Sequence, residues 1–424
     1  MSTVVRQLTL AGIVMLFLLG GPMLDMIGWT YTSAGGSFVT KIHPSFFILF
    51  LAAGVALLSG KDRYWQQMRK PWFLAYTLCA ILLVARAVAI ASTGVTQGEL
   101  SAAMVTFLMP AFLLVAAQSL SRTDFDRIGV GLRFFFIFNS LMGLAERLAG
   151  HRFIPSFIDA EGKELRAAAL LSHPLDASLL TGIMIVFLVS ARKKSLPVWM
   201  RVPEILLHGM AMFAFGGRSA LVFTTIVLIF SAVVVRQDRS QNKIGPLQRF
   251  LPIAILIAGV ALIFLPIPFV EATLARFSND NASSETRNAA FQMLTALDPA
   301  QLLWGADANR RTIIMAFFHS ERGIEIAWIA LIMIYGAILA AFYAVTMPLM
   351  LMLTARRLDR SALYMALLFI VVTAGSLSLG SKTMLISQLL TMMLALCQKQ
   401  VRSALFFRVP TGEEAHSPAP LAPS

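Results

Sequence analysis

The sequence has few charged residues and very little cysteine. Only 13% of its 424 residues are charged, whereas an ordinary soluble domain carries about 25%. The two cysteines, Cys79 and Cys397, both lie within apolar runs, which argues against a disulfide framework and against a cysteine-based metal site. The sequence also lacks a glycine-rich nucleotide loop, a His-x-x-x-His metal pair and a serine-nucleophile elbow. We therefore expect neither a cofactor nor a bound metal ion.

Long apolar runs dominate the chain instead. Hydrophobic residues make up 58% of it, and its mean hydropathy is +0.75. Runs of roughly 20 apolar residues recur, and a helix of that length crosses a hydrocarbon core of about 30 Å. The runs are too long and too uniformly apolar for barrel strands, and only helices or closed barrels satisfy their backbone groups in lipid. The sequence therefore predicts an all-α polytopic membrane protein with about twelve transmembrane helices.

The predicted spans divide the chain into one large domain and a short tail. Their approximate bounds are 8–24, 43–60, 71–92, 100–120, 125–148, 167–190, 202–215, 218–235, 250–269, 324–350, 361–379 and 383–398. We assign residues 1–408 to this transmembrane domain, with a long outer loop at about 270–323 that contains an interfacial helix ending near Leu297. Residues 409–424 are rich in proline, alanine and glutamate and are expected to be a disordered cytoplasmic tail.

The positive charges predict the orientation of the spans. The formal net charge is +13, but the basic residues are spread over short loops without interleaved aromatic residues, so we expect no nucleic-acid partner. Alternate loops are all basic, and the loop at 92–99 has no cation. Because basic loops remain in the cytoplasm, this pattern predicts that both termini are cytoplasmic.

Arginines at the predicted outer helix ends oppose this orientation. Arg218 follows Gly216 and Gly217 at the start of the eighth span, where exposed helix amides and a guanidinium group together favour an anion. Arg166 lies at the start of the sixth span, two helical turns before His173. The competing interpretation is that each arginine pairs with a nearby carboxylate, and that His173 makes an ordinary hydrogen bond between helices.

The long outer loop contributes a second set of polar residues. Arg287 lies on the apolar stripe of the predicted interfacial helix, so we expect it to point toward the membrane. The competing interpretation is that it lies along the apolar surface and extends its charged end into water, as arginine side chains often do. Arg310 and Arg311 follow, and the sequence does not separate their roles. His319 and Glu325 come just before or at the start of the tenth span, and they either serve a site or belong to a solvated loop.

Four patches of the chain resemble one known superfamily. They are Glu146 with Gly150-His151-Arg152, Arg166 to His173-Pro174, Gly216-Gly217-Arg218-Ser219-Ala220-Leu221, and Arg287 through Gly305. In these patches the chain resembles the Wzy-type polysaccharide polymerases and O-antigen ligases, nearest the VpsF-like exopolysaccharide branch. The chain departs from the superfamily where other members often have a Gly-x-Gly turn and a His-Asn pair, because it has Trp304-Gly305-Ala306-Asp307 and His319-Ser320 there.

The resemblance implies a metal-independent glycosyltransferase of the bacterial inner membrane. Such an enzyme polymerises undecaprenyl-pyrophosphate-linked oligosaccharide repeat units at the periplasmic face into exopolysaccharide or an O-antigen-like polymer. The implied partners are the lipid-linked oligosaccharide, the lipid bilayer, and chain-length regulator and export proteins. Two alternatives stay open. One is O-antigen ligase-type transfer of the glycan to another acceptor. The other is a non-enzymatic transporter or flippase for polysaccharides or organic anions, which Arg86 and Arg133 inside predicted spans favour.

Transfer from a lipid pyrophosphate needs two kinds of residue. Arginines held in a partly dry cleft stabilise the anionic leaving group. The candidates for this role are Arg218, Arg287, Arg166 and Arg311. A general base accepts the proton of the attacking hydroxyl group. The candidates for that role are His319, Glu325, Glu146 and His173.

Overall fold

The structure is a computed structural model, and its described residues form helices and turns. They are residues 2–33, 35–92, 97–154, 166–171, 173–190, 198–237, 275, 281–319, 324, 326–375, 379 and 382–398. The first helices are α1 (Ser2–Leu18), α2 (Gly21–Met26), α3 (Pro44–Leu58), α4 (Asp62–Met68), α5 (Pro71–Ala91), α6 (Gln97–Ala102), α7 (Met109–Ala116), α8 (Arg122–Ala149), α9 (Pro174–Ser190), α10 (Val198–Phe215) and α11 (Arg218–Gln237). The later helices are α12 (Asn281–Thr295), α13 (Pro299–Trp304), α14 (Ala308–Phe317), α15 (Ala327–Tyr335), α16 (Ala337–Ala355), α17 (Arg360–Ala374) and α18 (Leu385–Leu396). The predicted all-α class is confirmed for this part of the chain, in which no residue is in a β-strand.

Several helices have the length and apolar composition needed to cross a membrane. Four continuous stretches in the described part qualify: Pro71–Ala91, Gly98–Ser119, Arg122–Ala149 and Ala337–Ala355. The pair α3 and α4, bent by 115° at the break between them, would make a fifth. This is the composition of a helical membrane protein, whereas the number of twelve spans stays a prediction. The predicted ninth span and the predicted tail lie outside the described residues.

The predicted tenth span is divided into two helices. The sequence predicts one helix over 324–350, but α15 ends at Tyr335 and α16 begins at Ala337. Gly336 between them has φ +87°, a left-handed value that favours glycine. A Cβ atom on Gly336 would lie 2.2 Å from the carbonyl oxygen of Leu303, so the last turn of α13 meets this break at backbone distance. A glycine inside an apolar run is common in membrane helices, which is why the sequence alone did not indicate the break.

The helix α9 is buried on almost every side. It packs against α10, α11 and α17, and nearly all of its residues from Ala177 to Leu188 are buried. A helix that is apolar around its whole circumference is typical of such a position. Gly182 allows α11 to approach closely, because a Cβ atom there would lie 2.4 Å from the Oγ1 atom of Thr224. The middle of α9 is therefore held between α10, α11 and α17.

The segment at 281–319, which the sequence predicts to lie in the outer loop, forms a small helical unit with its own core, and we call it the outer unit. Ala290 and Met293 of α12, Ile314 of α14, and Ile329 and Met333 of α15 are buried together in this second core. Its members recur every three or four residues along α12, which is the spacing of one helix face. The core connects the outer unit to the bundle through α15.

Candidate functional site

Glu146 ties the segment before α9 to the end of α8. Its side chain is fully buried. One carboxylate oxygen accepts the backbone N–H of Phe153 at 3.1 Å, and the other accepts the N–H groups of Ala168 and Ala169, each at 3.0 Å. Asn139, two helical turns earlier on the same face, accepts the N–H of Leu170 at 3.0 Å. The two side chains together fix residues 168–170 against α8.

His173 stands immediately before Pro174, the first residue of α9. Its Nδ1 atom accepts the backbone N–H of Leu175 at 3.3 Å. Burial, followed by the positive charges of Arg152 and Arg166, lowers the pKa of His173 from 6.5 to about 4. The imidazole is therefore neutral at neutral pH. Because Nδ1 accepts a hydrogen bond, the ring carries its proton on Nε2, which is then a hydrogen-bond donor.

Arg166 and Arg152 lie together beside this histidine. The Nε atom of Arg152 donates to the carbonyl oxygen of Arg166 at 3.0 Å. The next residue, Ala167, donates its backbone N–H to the carbonyl oxygen of Ala214 at 3.3 Å. Because Ala214 is in the last turn of α10, this bond brings the Arg166 segment to the turn that precedes Arg218.

Arg218 begins α11 beside the first turn of α9. The turn before it is tight, with Gly216 at φ +67°. The carbonyl oxygen of Gly217 accepts from Oγ of Ser178 at 3.5 Å. A Cβ atom on Gly217 would lie 2.4 Å from that same Oγ atom, so a side chain at this position would separate the two helix starts. The glycines therefore allow Arg218 to stand at a helix N-terminus that adjoins α9.

These contacts bring Arg152, Arg166, His173 and Arg218 to one end of the bundle, and we call this set the arginine cluster. Three arginine residues, one histidine and the N-terminal ends of α9 and α11 lie at that end, and the charges of Arg152 and Arg166 act directly on His173. Asp176, in the first turn of α9, lies 4.0 Å from Nδ1 of His173 and supplies one opposing charge. The arrangement is chemically suited to an anion with several oxygen atoms, because guanidinium groups and helix N-termini both donate to such groups.

A half-buried lysine, Lys382, and a buried tyrosine, Tyr31, adjoin the arginine cluster through Asp176. The Nζ atom of Lys382 lies 3.7 Å from the ring centroid of Tyr31 and donates to the carbonyl oxygen of Lys41 at 3.1 Å. Burial and the nearby charge of Lys41 lower the pKa of Lys382 to about 8. The pKa of Tyr31 is raised, mainly by burial and also by the charges of Asp25 and Asp176. No sequence motif indicated that Lys382, Tyr31 and Asp176 lie close together.

Arg310 and Arg311 have different roles, which the sequence did not separate. Arg311 is buried and forms an ion pair with Glu99 of α6. Arg310 is exposed and donates from Nη2 to the carbonyl oxygen of Ala296, at the end of α12, at 2.9 Å. The Nη1 atom of Arg311 is buried and has no hydrogen-bond partner among the described residues. Through its ion pair with Glu99, Arg311 joins the outer unit to the bundle.

Two of the remaining candidates, Arg287 and His319, have no described contact with the arginine cluster. Arg287 is an exposed side chain on α12, a helix that packs on α15. His319 is exposed just beyond α14 and has φ +51°. No described contact joins either residue to Arg218. Glu325 lies outside the described residues.

Comparisons with other proteins and a search for metal sites add no assignment. Within the described ranges, no three His, Cys, Asp or Glu side chains are grouped closely enough to hold a metal ion. No family model matches the chain, and no match was found among curated proteins or solved structures.

Proposed function

We propose that this chain is a membrane-embedded glycosyltransferase that polymerises oligosaccharide repeat units carried on a lipid pyrophosphate. The resemblance of the sequence to polysaccharide polymerases supplies the reaction type. The arrangement of Arg152, Arg166, His173 and Arg218 at one end of the bundle is the observation that carries the proposal. A pyrophosphate leaving group requires several fixed donors, and this end of the bundle contains both guanidinium groups and helix N-termini.

In the proposed reaction, an acceptor hydroxyl oxygen attacks the anomeric carbon of the lipid-linked sugar. A new glycosidic C–O bond forms, and the bond from the anomeric carbon to the pyrophosphate oxygen breaks. The bonding electron pair leaves with that oxygen, and the developing charge is stabilised by Arg218 and Arg166. The Nε2–H group of neutral His173 adds a further donor to the same anion. The proton of the hydroxyl group passes to a general base.

The general base in this proposal is His319 or Glu325. Glu146 has its two carboxylate oxygens occupied by three backbone N–H groups and is fully buried, so we assign it the role of an anchor for the segment before α9. The Nδ1 atom of His173 is occupied by the N–H of Leu175, which favours the donor role. His319 belongs to the outer unit and is exposed, so it is accessible to an acceptor saccharide.

Reconstituted protein tests this proposal. We would extract lipid-linked saccharides from cells that lack the chain, add them to proteoliposomes that contain the purified protein, and resolve the products by size. The wild-type protein should give a ladder of longer glycans. Arg218→Ala should reduce the rate at least about 100-fold, the magnitude expected when a donor to a developing anion is removed.

Arg360→Ala is the matched control, because Arg360 is also an arginine that begins a helix, and it is exposed. This variant should give the wild-type ladder. A normal ladder from Arg218→Ala would contradict the assignment of Arg218. Transfer to a different acceptor without a ladder would favour the ligase alternative. Movement of the lipid across the bilayer without a new glycosidic bond would favour a flippase.

A further inference from the structure

A groove between α8 and α10 lies outside the arginine cluster. Its volume is about 500 Å³, within the range of roughly 300–1,000 Å³ usual for ligand sites. Its apolar walls are formed by Val130, Phe134, Ile137, Met200, Pro203 and Leu207. Val130 and Phe134 are 55% and 69% exposed, so the groove opens on the outer side of α8 rather than into the core. On a helix that crosses a bilayer, that side faces hydrocarbon.

Among the described residues that line this groove, two are charged, Arg133 and Glu204. They form a bidentate ion pair, with Nε of Arg133 donating to Oε1 at 3.2 Å and Nη2 donating to Oε2. Behind the pair, Nε2 of His208 lies 3.8 Å from Oε1, and Nδ1 of His208 is 2.8 Å from Oγ of Ser140. Glu204 is 4% exposed, but Arg133 is 23% exposed, so the guanidinium group is the polar surface that the groove presents.

Arg133 keeps a donor for another molecule. Its two bonds to Glu204 use Nε and Nη2, and Nη1 has no hydrogen-bond partner among the described residues. A charged group at this depth is costly in hydrocarbon unless it is paired or reaches polar atoms. Glu204 supplies the opposing charge and accepts from Nε and Nη2. An oxygen atom from a molecule in the groove would accept the remaining hydrogen bond from Nη1.

The length of α8 places Arg133 within reach of lipid headgroups. The helix has 28 residues, which gives about 42 Å, so it exceeds a hydrocarbon core of about 30 Å. If the excess is shared between the two ends, Arg133 lies about 10 Å inside the boundary. A long arginine side chain and the glycerol ester region of a lipid can meet over that distance. Arg122 and Arg127, both exposed at the same end of α8, add positive charge at the headgroup level.

We propose that the groove between α8 and α10 binds an anionic phospholipid of the surrounding bilayer. One acyl chain lies along the apolar walls, and a phosphate or ester oxygen accepts a hydrogen bond from Arg133. The site differs from the proposed glycan site in its residues and in its position along α8, since Arg133 lies in the first half of that helix and Glu146 lies in its last turn. It holds whether or not the chain transfers glycans.

Native mass spectrometry of the full-length protein tests this site. The purified protein would be titrated with phosphatidylglycerol and, separately, with phosphatidylcholine. We expect one phosphatidylglycerol molecule to remain bound at collision energies that remove phosphatidylcholine. The double variant Arg133→Gln/Glu204→Gln, which removes both members of this ion pair, should bind phosphatidylglycerol about tenfold more weakly or worse.

Two further variants distinguish loss of the site from loss of the fold. Val130→Trp fills the groove from its exposed edge and leaves the ion pair in place, so it should also displace the lipid. Arg147→Gln, at the other end of α8, removes one charge and should bind the lipid as the wild type does.

Equal phosphatidylglycerol binding by the wild type, the double variant and Val130→Trp would overturn the site. Phosphatidylcholine binding as tight as phosphatidylglycerol binding would overturn the headgroup assignment. A protein dimer abolished by Val130→Trp would show that a second chain occupies the groove and would also overturn it.

Discussion

Glu146 shows how much the surroundings of a single carboxylate decide its role. A glutamate near a helix end, followed by histidine and arginine, is a reasonable general-base candidate in the sequence. In the structure the same carboxylate accepts three backbone N–H groups and is fully buried. A carboxylate that satisfies three backbone donors, two of them buried, holds a segment in place, and its loss leaves those donors without partners.

Glu146→Gln should therefore lower the stability of the protein. The amide retains one acceptor oxygen, but its NH₂ group faces N–H donors, so at least one buried donor is left unsatisfied. The cost of such a donor is about 1–3 kcal/mol. Thermal unfolding in detergent would measure the change, and Glu285→Gln, at an exposed position on α12, is the control. A variant as stable as the wild type but inactive in glycan transfer would restore Glu146 as a candidate base.

His43 should make the stability of the protein depend on pH. Its ring accepts from the N–H of Ser45 at 3.2 Å, and Nε2 lies 2.7 Å from the carbonyl oxygen of Leu19. Burial is the main reason that its pKa falls from 6.5 to about 4, and the charge of Lys382 adds to the effect. Between those two pH values the unfolded chain binds a proton that the folded chain does not bind. Stability is therefore full above pH 6.5 and declines toward pH 4, by roughly 3 kcal/mol for this group.

Unfolding midpoints measured in detergent from pH 7 to pH 4 would test this prediction. His43→Gln should be less stable at pH 7, because it loses the helix cap, by about 1 kcal/mol. Its midpoint should then fall less steeply with pH than that of the wild type. His151→Gln, at an exposed position, should keep the wild-type slope. Parallel slopes in His43→Gln and the wild type would contradict the assignment.

At the scale of single residues, the sequence indicated candidate residues but not their contacts. Arg166 and Arg218 could be singled out because cations at predicted outer helix ends oppose the expected orientation, and His173 because it lies two helical turns after Arg166 and directly before Pro174. The difference between Arg310 and Arg311 was not predictable. Adjacent residues on a helix point in directions about 100° apart, and only the docking of α14 determines which of the two faces Glu99.

Among the helices and turns, the most specific feature is a crossing of two backbone segments, in which Gly305 after α13 meets Gly336 at the break between α15 and α16. Gly305 and Gly336 both have φ +87°. A Cβ atom on Gly305 would lie 2.4 Å from the carbonyl oxygen of Ile334. Backbone atoms cannot move aside as side chains can, so both positions require glycine. The crossing fixes the turn after α13 against the start of α16.

Gly336→Ala should be strongly destabilising. The substitution places a side chain in a backbone conformation that only glycine adopts readily, which costs about 1–3 kcal/mol, and it adds a clash with the carbonyl of Leu303. Gly131→Ala is the matched control, since Gly131 lies within α8 and a Cβ atom there would have no neighbour within 4 Å. That control should gain roughly 0.5–1 kcal/mol of stability. Equal unfolding midpoints for the two variants would contradict the crossing.

The element scale also shows which helices periodicity can predict. The bounds of α5 and α8 agree with the predicted spans to within a few residues, because long apolar runs and flanking charges define such helices well. The division at Gly336 was not predictable, since a single glycine does not interrupt an apolar run. The predicted interfacial helix of the outer loop corresponds to α12, where Ala290 and Met293 face the second core and Phe291 is exposed.

In the molecule as a whole, a few polar contacts join the outer helical unit to the bundle. Arg311 of α14 pairs with Glu99 of α6. Arg86 of α5 donates from Nη2 to the carbonyl oxygen of Gly305 at 3.3 Å, across 219 residues of sequence. A single sequence carries no signal for pairs so far apart. These contacts explain why the sequence predicted the helices but not the way in which the outer unit docks.

Breaking the pair between Glu99 and Arg311 should loosen the outer unit. Removal of one partner leaves a buried charge without its counterion, so Glu99→Gln alone should cost about 3–5 kcal/mol, and Arg311→Gln alone should cost a similar amount. The double variant should lower the free energy of unfolding by less than the sum of the two single losses. Hydrogen exchange over residues 281–319 and unfolding midpoints would measure the effect. Additive losses in the double variant would contradict a direct pair.

Binding of a short-chain prenyl diphosphate to the detergent-solubilised protein tests the central claim most directly, because it separates recognition of the anion from the transfer reaction. We predict that the wild type binds the diphosphate more tightly than the corresponding monophosphate. Arg218→Gln should weaken diphosphate binding about tenfold or more, whereas Arg360→Gln should bind as the wild type does. Equal affinity of the wild type and Arg218→Gln for the diphosphate would contradict the account.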